Sequence, residues 1–143
     1  TNDYFEITGV QLELGSTATP FARAGGNIAG ELAACQRYYY QVATGNAQPL
    51  GASWTDTTTQ GQIMLPFPVT MRTNPSLVQT TGTNYYNINT ANSGKVFNSF
   101  TGLNVVSTTM ATIYATISGA TAGQGGYSYT ANASASIAFN AEL

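Results

Sequence analysis

The 143-residue chain contains no histidine and a single cysteine. Without histidine it lacks the base of a serine or cysteine nucleophile and the imidazole ligands of a Cys/His zinc set. Cys35 has no partner for an intrachain disulfide, so we expect it to be a small buried hydrophobe. These absences predict no metal and no cofactor.

Charge is also scarce. Charged residues make up 7% of the chain, the formal net charge is −2, and Lys and Arg together number 4. A protein that neutralises nucleic-acid phosphates needs a basic patch, so nucleic-acid binding is not expected. No apolar run approaches the roughly 18 to 20 residues of a membrane-spanning helix, so membrane insertion is not expected either.

Acidic residues are too sparse for the usual hydrolytic chemistry. Asp56 is the only acidic residue between Leu32 and Ala141. A glycosidase normally places two carboxylates on either side of the scissile bond, and this segment supplies one. A pair formed between subunits, or with Glu31 or Glu142, stays open as an alternative. The lone lysine lies in "NSGKVF", which lacks the glycine spacing of a phosphate loop and favours a hairpin turn. The sequence therefore predicts a protein that is not an enzyme.

The clearest periodic pattern is at the end of the chain, in Tyr127–Ala141. Odd positions are apolar and six of the seven even positions are polar. A period of two predicts a β-strand with the apolar side chains packed and the polar ones in solvent. Because the stretch is longer than an ordinary strand, we expect a bulge or break near Asn132–Ser134.

A second alternation runs from Ile63 to Met71 and carries Pro66 and Pro68 on its other face. Prolines two apart remove N–H donors from the same side of a strand, which predicts an edge strand. Further strand candidates are Glu6–Leu14, Arg37–Ala43, Ser76–Thr81, Val96–Phe100, Asn104–Ser107 and Thr109–Ile117. Many short strands separated by Gly- and Asn-rich turns predict an all-β antiparallel sandwich.

One short helix is expected before these strands. Ile28, Leu32, Cys35 and Tyr39 are spaced as i, i+4, i+7 and i+11, and Asn27 precedes them as a candidate N-cap. So short a helix is marginal unless its apolar stripe packs on another surface.

A surface of hydroxyls and amides with little charge is typical of chains that assemble.

Aromatic residues in polar surroundings are the candidates for ligand binding. Sugars stack on Trp or Tyr rings while amides and carboxylates bind their hydroxyls. Two loop-like segments fit this description, and their candidate residues are Trp54, Asp56, Tyr85, Tyr86 and Asn87. The alternative is that the two tyrosines cap the core and that Trp54 begins a strand or forms a subunit contact.

Four phrases, in order along the chain, resemble one family. "ITGVQLELGSTATPF" is similar to the closing strand of the jelly-roll module that precedes the tip of tailed-bacteriophage fibres and tailspikes. "ELAACQRYYYQV", "LPFPVTMRTNPSL" and "FNAEL" resemble the opening, a proline-flanked strand and the final residues of the distal domain in the same proteins. Residues 73–126 match little.

The resemblance implies a jelly-roll-like sandwich at the tip of a virion fibre, assembled as a homotrimer. It divides the chain into the end of a preceding module with a linker, 1–26, and a tail-tip domain, 27–143. The tip would recognise a bacterial surface polysaccharide without enzymatic activity, or act only as a structural trimerisation cap. The residues it implies for the trimer interface are Ile28, Leu32, Cys35, Arg37 and Tyr39. Because the chain opens inside a pattern, we expect it to be the C-terminal part of a longer protein.

Overall fold

A computed structural model describes residues 10, 12, 14–17, 19–22, 26–91 and 93–142, which form one helix and ten strands. The helix is α1 (Ile28–Gln36). The strands are β1 (Tyr39–Thr44), β2 (Pro49–Thr55), β3 (Gln60–Pro66), β4 (Ser76–Gln79), β5 (Tyr86–Thr90), β6 (Ser93–Phe97), β7 (Gly102–Val106), β8 (Met110–Thr116), β9 (Gly125–Thr130) and β10 (Ser136–Asn140). Most of the predicted strand Glu6–Leu14 and much of the proposed module and linker, 1–26, lie outside the described residues.

The helix begins where the sequence predicts. The Asn27 side chain accepts a hydrogen bond from the backbone N–H of Gly30 at 2.8 Å, which satisfies one free donor of the first turn. Tyr39, the last member of the predicted stripe, lies in β1 instead. No residue of α1 is buried, so the prediction that Cys35 is a buried hydrophobe is wrong for the single chain.

The strands form two antiparallel sheets. The small sheet has the order β1-β10-β4, and the large sheet has the order β6-β5-β9-β2-β3-β8-β7. Ile63 and Ile113 of the large sheet and Ile137 and Phe139 of the small sheet are fully buried in one common core. The prediction of an all-β protein built from antiparallel sheets with one short helix is therefore confirmed.

The proline-flanked strand is not at an edge. β3 lies between β2 and β8, so the edge prediction is wrong. The prolines are tolerated because β2 pairs only with residues 61–63 of β3, whereas β8 pairs with β3 as far as Pro66. Pro66 therefore sits where β3 has a hydrogen-bonded neighbour on one side only.

The C-terminal alternation breaks as predicted, because β9 ends at Thr130 and β10 begins at Ser136. In β9, however, the packed face is the opposite of the one predicted. Ser128 and Thr130 are buried and the two tyrosines of the strand face outwards. The reason lies in the neighbouring strand: Tyr86 is paired with Thr130, so a large buried side chain in β5 leaves room only for a small one opposite it.

Two strands lie where the sequence suggested loops. Trp54 belongs to β2, and Tyr86 and Asn87 begin β5. β5 and β6 form a hairpin whose last pair is Thr90 and Ser93, so "SGK" is part of β6 rather than the turn. The turn comes earlier, at Ala91, which has a positive φ of 47°. In β2 and in the β5–β6 hairpin, cross-strand pairing outweighs the turn-forming character of Asn, Gly and Thr.

Tyr86 is the centre of the aromatic part of the core. Its ring packs against Phe97 and Phe100 at centroid distances of 5.7 and 4.9 Å. Its hydroxyl lies 2.8 Å from the carbonyl oxygens of both Thr80 and Ser136, so its one proton is shared between these two acceptors and ties β5 to the small sheet. Burial raises the pKa of this phenol above its ordinary value, which keeps it in the donating, protonated form.

Among the described residues, no helix has the length and apolar character needed to cross a membrane.

Candidate functional site

One face of the large sheet packs on the core, and the other, called here the outer face, is lined by aromatic and amide side chains. Register places them there: Ser53, Ile63 and Ile113 are paired and buried, so their neighbours along each strand point the other way. The outer face is made of Ala52, Trp54, Gln62, Met64, Asn87, Asn89, Val96, Asn104, Val105, Thr112, Tyr114, Tyr127 and Tyr129.

A hydrogen-bonded chain of polar groups holds the indole of Trp54. Its Nε1 donates to Oδ1 of Asp56 at 3.3 Å, and Nε2 of Gln62 donates to Oδ2 of the same carboxylate. Nδ2 of Asn104 then donates to Oε1 of Gln62 at 2.8 Å. Four residues from β2, β3, β7 and the β2–β3 turn therefore form one network across the sheet.

Gln62 is the fixed centre of this network. Its side chain is 3% exposed, and Trp54 and Tyr114 are its cross-strand partners on either side. Because its amide uses both its N–H donor and its carbonyl oxygen within the protein, it orients the neighbouring groups rather than offering itself to a ligand. Asp56 is exposed, and each of its oxygens retains further accepting capacity.

Two tyrosines extend the same surface on β9. The rings of Tyr127 and Tyr129 are stacked at 6.0 Å with an interplanar angle of 25°. Nδ2 of Asn89 donates to the hydroxyl of Tyr127 at 2.9 Å, which fixes that ring although it is 57% exposed. Tyr127 pairs with Ala52, two residues before Trp54, so the tyrosines and the indole lie on adjacent strands.

The predicted site residues in β5 are not placed as expected. Tyr86 is 0% exposed in the core and cannot stack on a sugar there, so its assignment to the ligand site is wrong. Tyr85 is partly buried and packs edge-on against Tyr86 at 6.4 Å. Asn87 does face outwards but is buried, and its Oδ1 has no partner among the described residues. Gly94 on β6 leaves the space that this side chain fills.

The structure thus brings Trp54 and Asp56 together as predicted and separates them from Tyr85 and Tyr86. Sequence reasoning missed Gln62, Asn104 and the outward tyrosines of β8 and β9. A signal for Gln62 was present: "SWTDTTTQGQI" has alternating strands on both sides of a polar turn, and a hairpin there places Trp54 opposite Gln62.

The residues predicted for a trimer interface lie on the other side of the fold, near the small sheet. Ile28 and Leu32 are 67% and 55% exposed, and Cys35, Arg37 and Tyr39 are also exposed. The carbonyl oxygen of Arg37 accepts a hydrogen bond from the N–H of Arg72 at 2.8 Å, linking the end of α1 to the segment after β3. The guanidinium of Arg72 lies 5.6 Å from the ring centroid of Tyr38.

The outer face is suited to binding an uncharged, hydroxyl-rich ligand. Within the described part of the chain, no group of three or more His, Cys, Asp or Glu side chains could hold a metal ion. Asp56, in the turn next to the outer face, is the only carboxylate in the described network, and its partners there are an indole ring and an amide. Comparison of the chain with protein-family models, with curated proteins and with solved structures found no match.

Proposed function

We propose that this chain is a non-enzymatic receptor-recognition module at the distal end of a trimeric phage tail fibre or tailspike, and that its outer face binds a bacterial surface polysaccharide. The observation that supports the binding role is the hydrogen-bonded network that holds the Trp54 indole beside Asp56 on an aromatic surface. The virion setting comes from the resemblance of the four sequence phrases.

The physical argument is one of matched chemistry. A pyranose ring presents a C–H face and several hydroxyls. Aromatic rings that are already held in place bind such a face at little entropic cost, and neighbouring amide and carboxylate groups accept the hydroxyl protons. Trp54 and Tyr127 supply held rings, while Asp56 supplies an exposed acceptor.

Alanine at Trp54 is expected to weaken binding of the host polysaccharide by about tenfold or more, because it removes the stacking surface and frees the Asp56 carboxylate. Trp54→Phe, which keeps a ring but has no N–H donor, should weaken polysaccharide binding less. Isothermal titration calorimetry with purified polysaccharide measures both effects.

The matched control for this experiment is Val78→Ala. Val78 is 42% exposed on β4 of the small sheet, away from the outer face. The Val78→Ala protein should bind the polysaccharide with the same affinity as the unsubstituted chain. Equal affinities for Trp54→Ala and Val78→Ala, with both proteins folded, would remove the outer face from the binding role.

A second candidate function, a structural trimerisation cap, is favoured by the exposed helix. Ile28 and Leu32 present large apolar side chains to solvent in the single chain, and a short helix with nothing buried gains little stability by itself. Packing of three copies through α1 would cover these side chains. The cap and the receptor module are compatible, since they use different faces.

Leu32→Asp is expected to convert the assembly from three chains to one, since a charge would be buried in the interface. Light scattering on the purified chain measures the mass directly. Val105→Asp is the control, because Val105 is 63% exposed on β7 and belongs to the other sheet. A monomer before any substitution would contradict the proposed assembly.

A further inference from the structure

A pocket separate from the outer-face network lies where the connection from β6 to β7 passes the end of β8. Its volume is about 410 Å³, the size range of small-molecule sites. One wall is apolar and is made of Phe97 and Ile117. Val96 also borders the pocket, but its pairing with Asn87 places its side chain on the outer face. The rest is lined by hydroxyl and amide side chains, namely Asn98, Ser99, Thr101, Thr116 and Ser118.

Some of the polar side chains in this lining have no hydrogen-bond partner among the described residues. The side-chain oxygen of Asn98 accepts from the backbone N–H of Asn84 at 3.0 Å, and the hydroxyls of Thr101 and Thr116 are 3.4 Å apart. No side-chain hydrogen bond joins Ser99 or Ser118 to any other described residue. Their hydroxyls are therefore available to a molecule in the pocket.

The only lysine of the chain, Lys95, does not line the pocket but lies next to residues that do. Lys95 lies on the same side of β6 as Phe97, two residues before it. A methyl group added to Gly119 would lie 3.9 Å from Nζ of Lys95, so the ammonium group adjoins the residue that follows Ser118. Gly119 has a positive φ of 66°, which a glycine accepts without strain and which turns the chain at this point.

Among the described residues, no carboxylate is paired with the ammonium group of Lys95. The sequence has no Asp or Glu from residue 57 to residue 141. Asp56 is engaged instead by Trp54 and Gln62 on the outer face. Within the described residues, the pocket thus combines an apolar wall and free hydroxyls with a nearby ammonium group that has no carboxylate partner.

We propose that this pocket binds the carboxylate-bearing ring of an acidic sugar residue, of the hexuronic acid class. The ammonium of Lys95 pairs with the carboxylate, the hydroxyls of Ser99 and Ser118 bind the ring hydroxyls, and the apolar wall covers a C–H face. The site does not include Trp54, so its test does not depend on whether the outer face binds polysaccharide.

A lysine on β6 also has a simpler use. β6 is the last strand of the large sheet, and a charged side chain on an edge strand discourages pairing with other chains. If Lys95 serves only to protect the edge strand, the chain should show no preference for a carboxylate ligand, and the pocket hydroxyls need not bind a ligand. The two roles are therefore separable by ligand binding.

The test uses the full chain with sodium glucuronate and with glucose, which differ at one carbon in carrying a carboxylate or a hydroxymethyl group. Titration calorimetry and saturation-transfer NMR measure binding of both. We expect glucuronate to bind about tenfold more tightly than glucose, and Lys95→Met to lose that difference while keeping the aliphatic stem. Added salt should weaken glucuronate binding and leave glucose unaffected.

Trp54→Ala separates the two proposals, because it should leave glucuronate binding unchanged even where it abolishes polysaccharide binding. Lys95→Gln serves if Lys95→Met aggregates, and it should show the same loss of preference. Equal binding of glucuronate and glucose by the unsubstituted chain would overturn the proposal. So would an unchanged glucuronate affinity in a folded Lys95 variant, which would leave edge protection as the role of this residue.

Discussion

Gly126→Ala is expected to destabilise the fold by about 3 kcal/mol or more, which is a large fraction of the stability of an ordinary domain. A Cβ at this position would overlap the backbone carbonyl oxygen of Asn89 and would lie 3.0 Å from the Cα of Thr90. Both obstacles are backbone atoms, so no rotamer change relieves the clash. β5 would have to move away from β9 along a pairing that joins β6 and β5 to the rest of the large sheet.

The adjacent glycine provides the matched control. A Cβ on Gly125 meets no atom within 4 Å, and its backbone is not in the left-handed region. Gly125→Ala should therefore change the free energy of unfolding by less than about 0.5 kcal/mol. Urea unfolding followed by circular dichroism compares the two variants. Similar stability of the two proteins would contradict the described approach of β5 to β9.

Tyr86→Ala is expected to lower the free energy of unfolding by about 3 to 5 kcal/mol. The substitution empties a fully buried site in the aromatic cluster and leaves the carbonyl oxygens of Thr80 and Ser136 without their donor. Tyr86→Phe keeps the ring and removes only the hydroxyl, so it should cost about 1 to 3 kcal/mol.

Chemical denaturation again measures these effects, and Val105→Ala, at a 63% exposed position, should stay within about 0.5 kcal/mol of the parent chain. A Tyr86→Ala protein of undiminished stability but reduced polysaccharide binding would instead favour the ligand role expected for this residue from sequence. The structure predicts the opposite, namely that Tyr86→Ala lowers the stability of the fold more than it affects polysaccharide binding.

The alternating patterns predicted the β-rich fold, because a period of two in Tyr127–Ala141 and in Ile63–Met71 directly reflects side chains on opposite faces of a strand. The same patterns did not determine which face is packed. In β9 the tyrosines are the more apolar side chains, yet Ser128 and Thr130 are buried, because Tyr86 and Ile88 opposite them already fill that part of the core. That information belongs to the partner strand and is absent from the local sequence.

The candidate site was predictable in part for the same reason. Trp54 and Asp56 are two residues apart on one strand and its turn, so their contact is local and the sequence indicated it. The contact of Gln62 with Asn104 joins residues 42 positions apart, and it depends on β8 lying between β3 and β7. A strand order of this kind follows from the packing of the whole domain and not from any one motif.

The position of β1 has a mechanical consequence. β1 continues directly from α1, lies at an edge of the small sheet, and has β10 as its one neighbouring strand. Tyr39 is paired with Asn140, so the start of β1 and the end of β10 lie side by side, and a pull that draws these two points apart would open the hydrogen bonds between the strands one after another from that end. Such a load would fall first on the three-stranded sheet, at the pairing of β1 with β10.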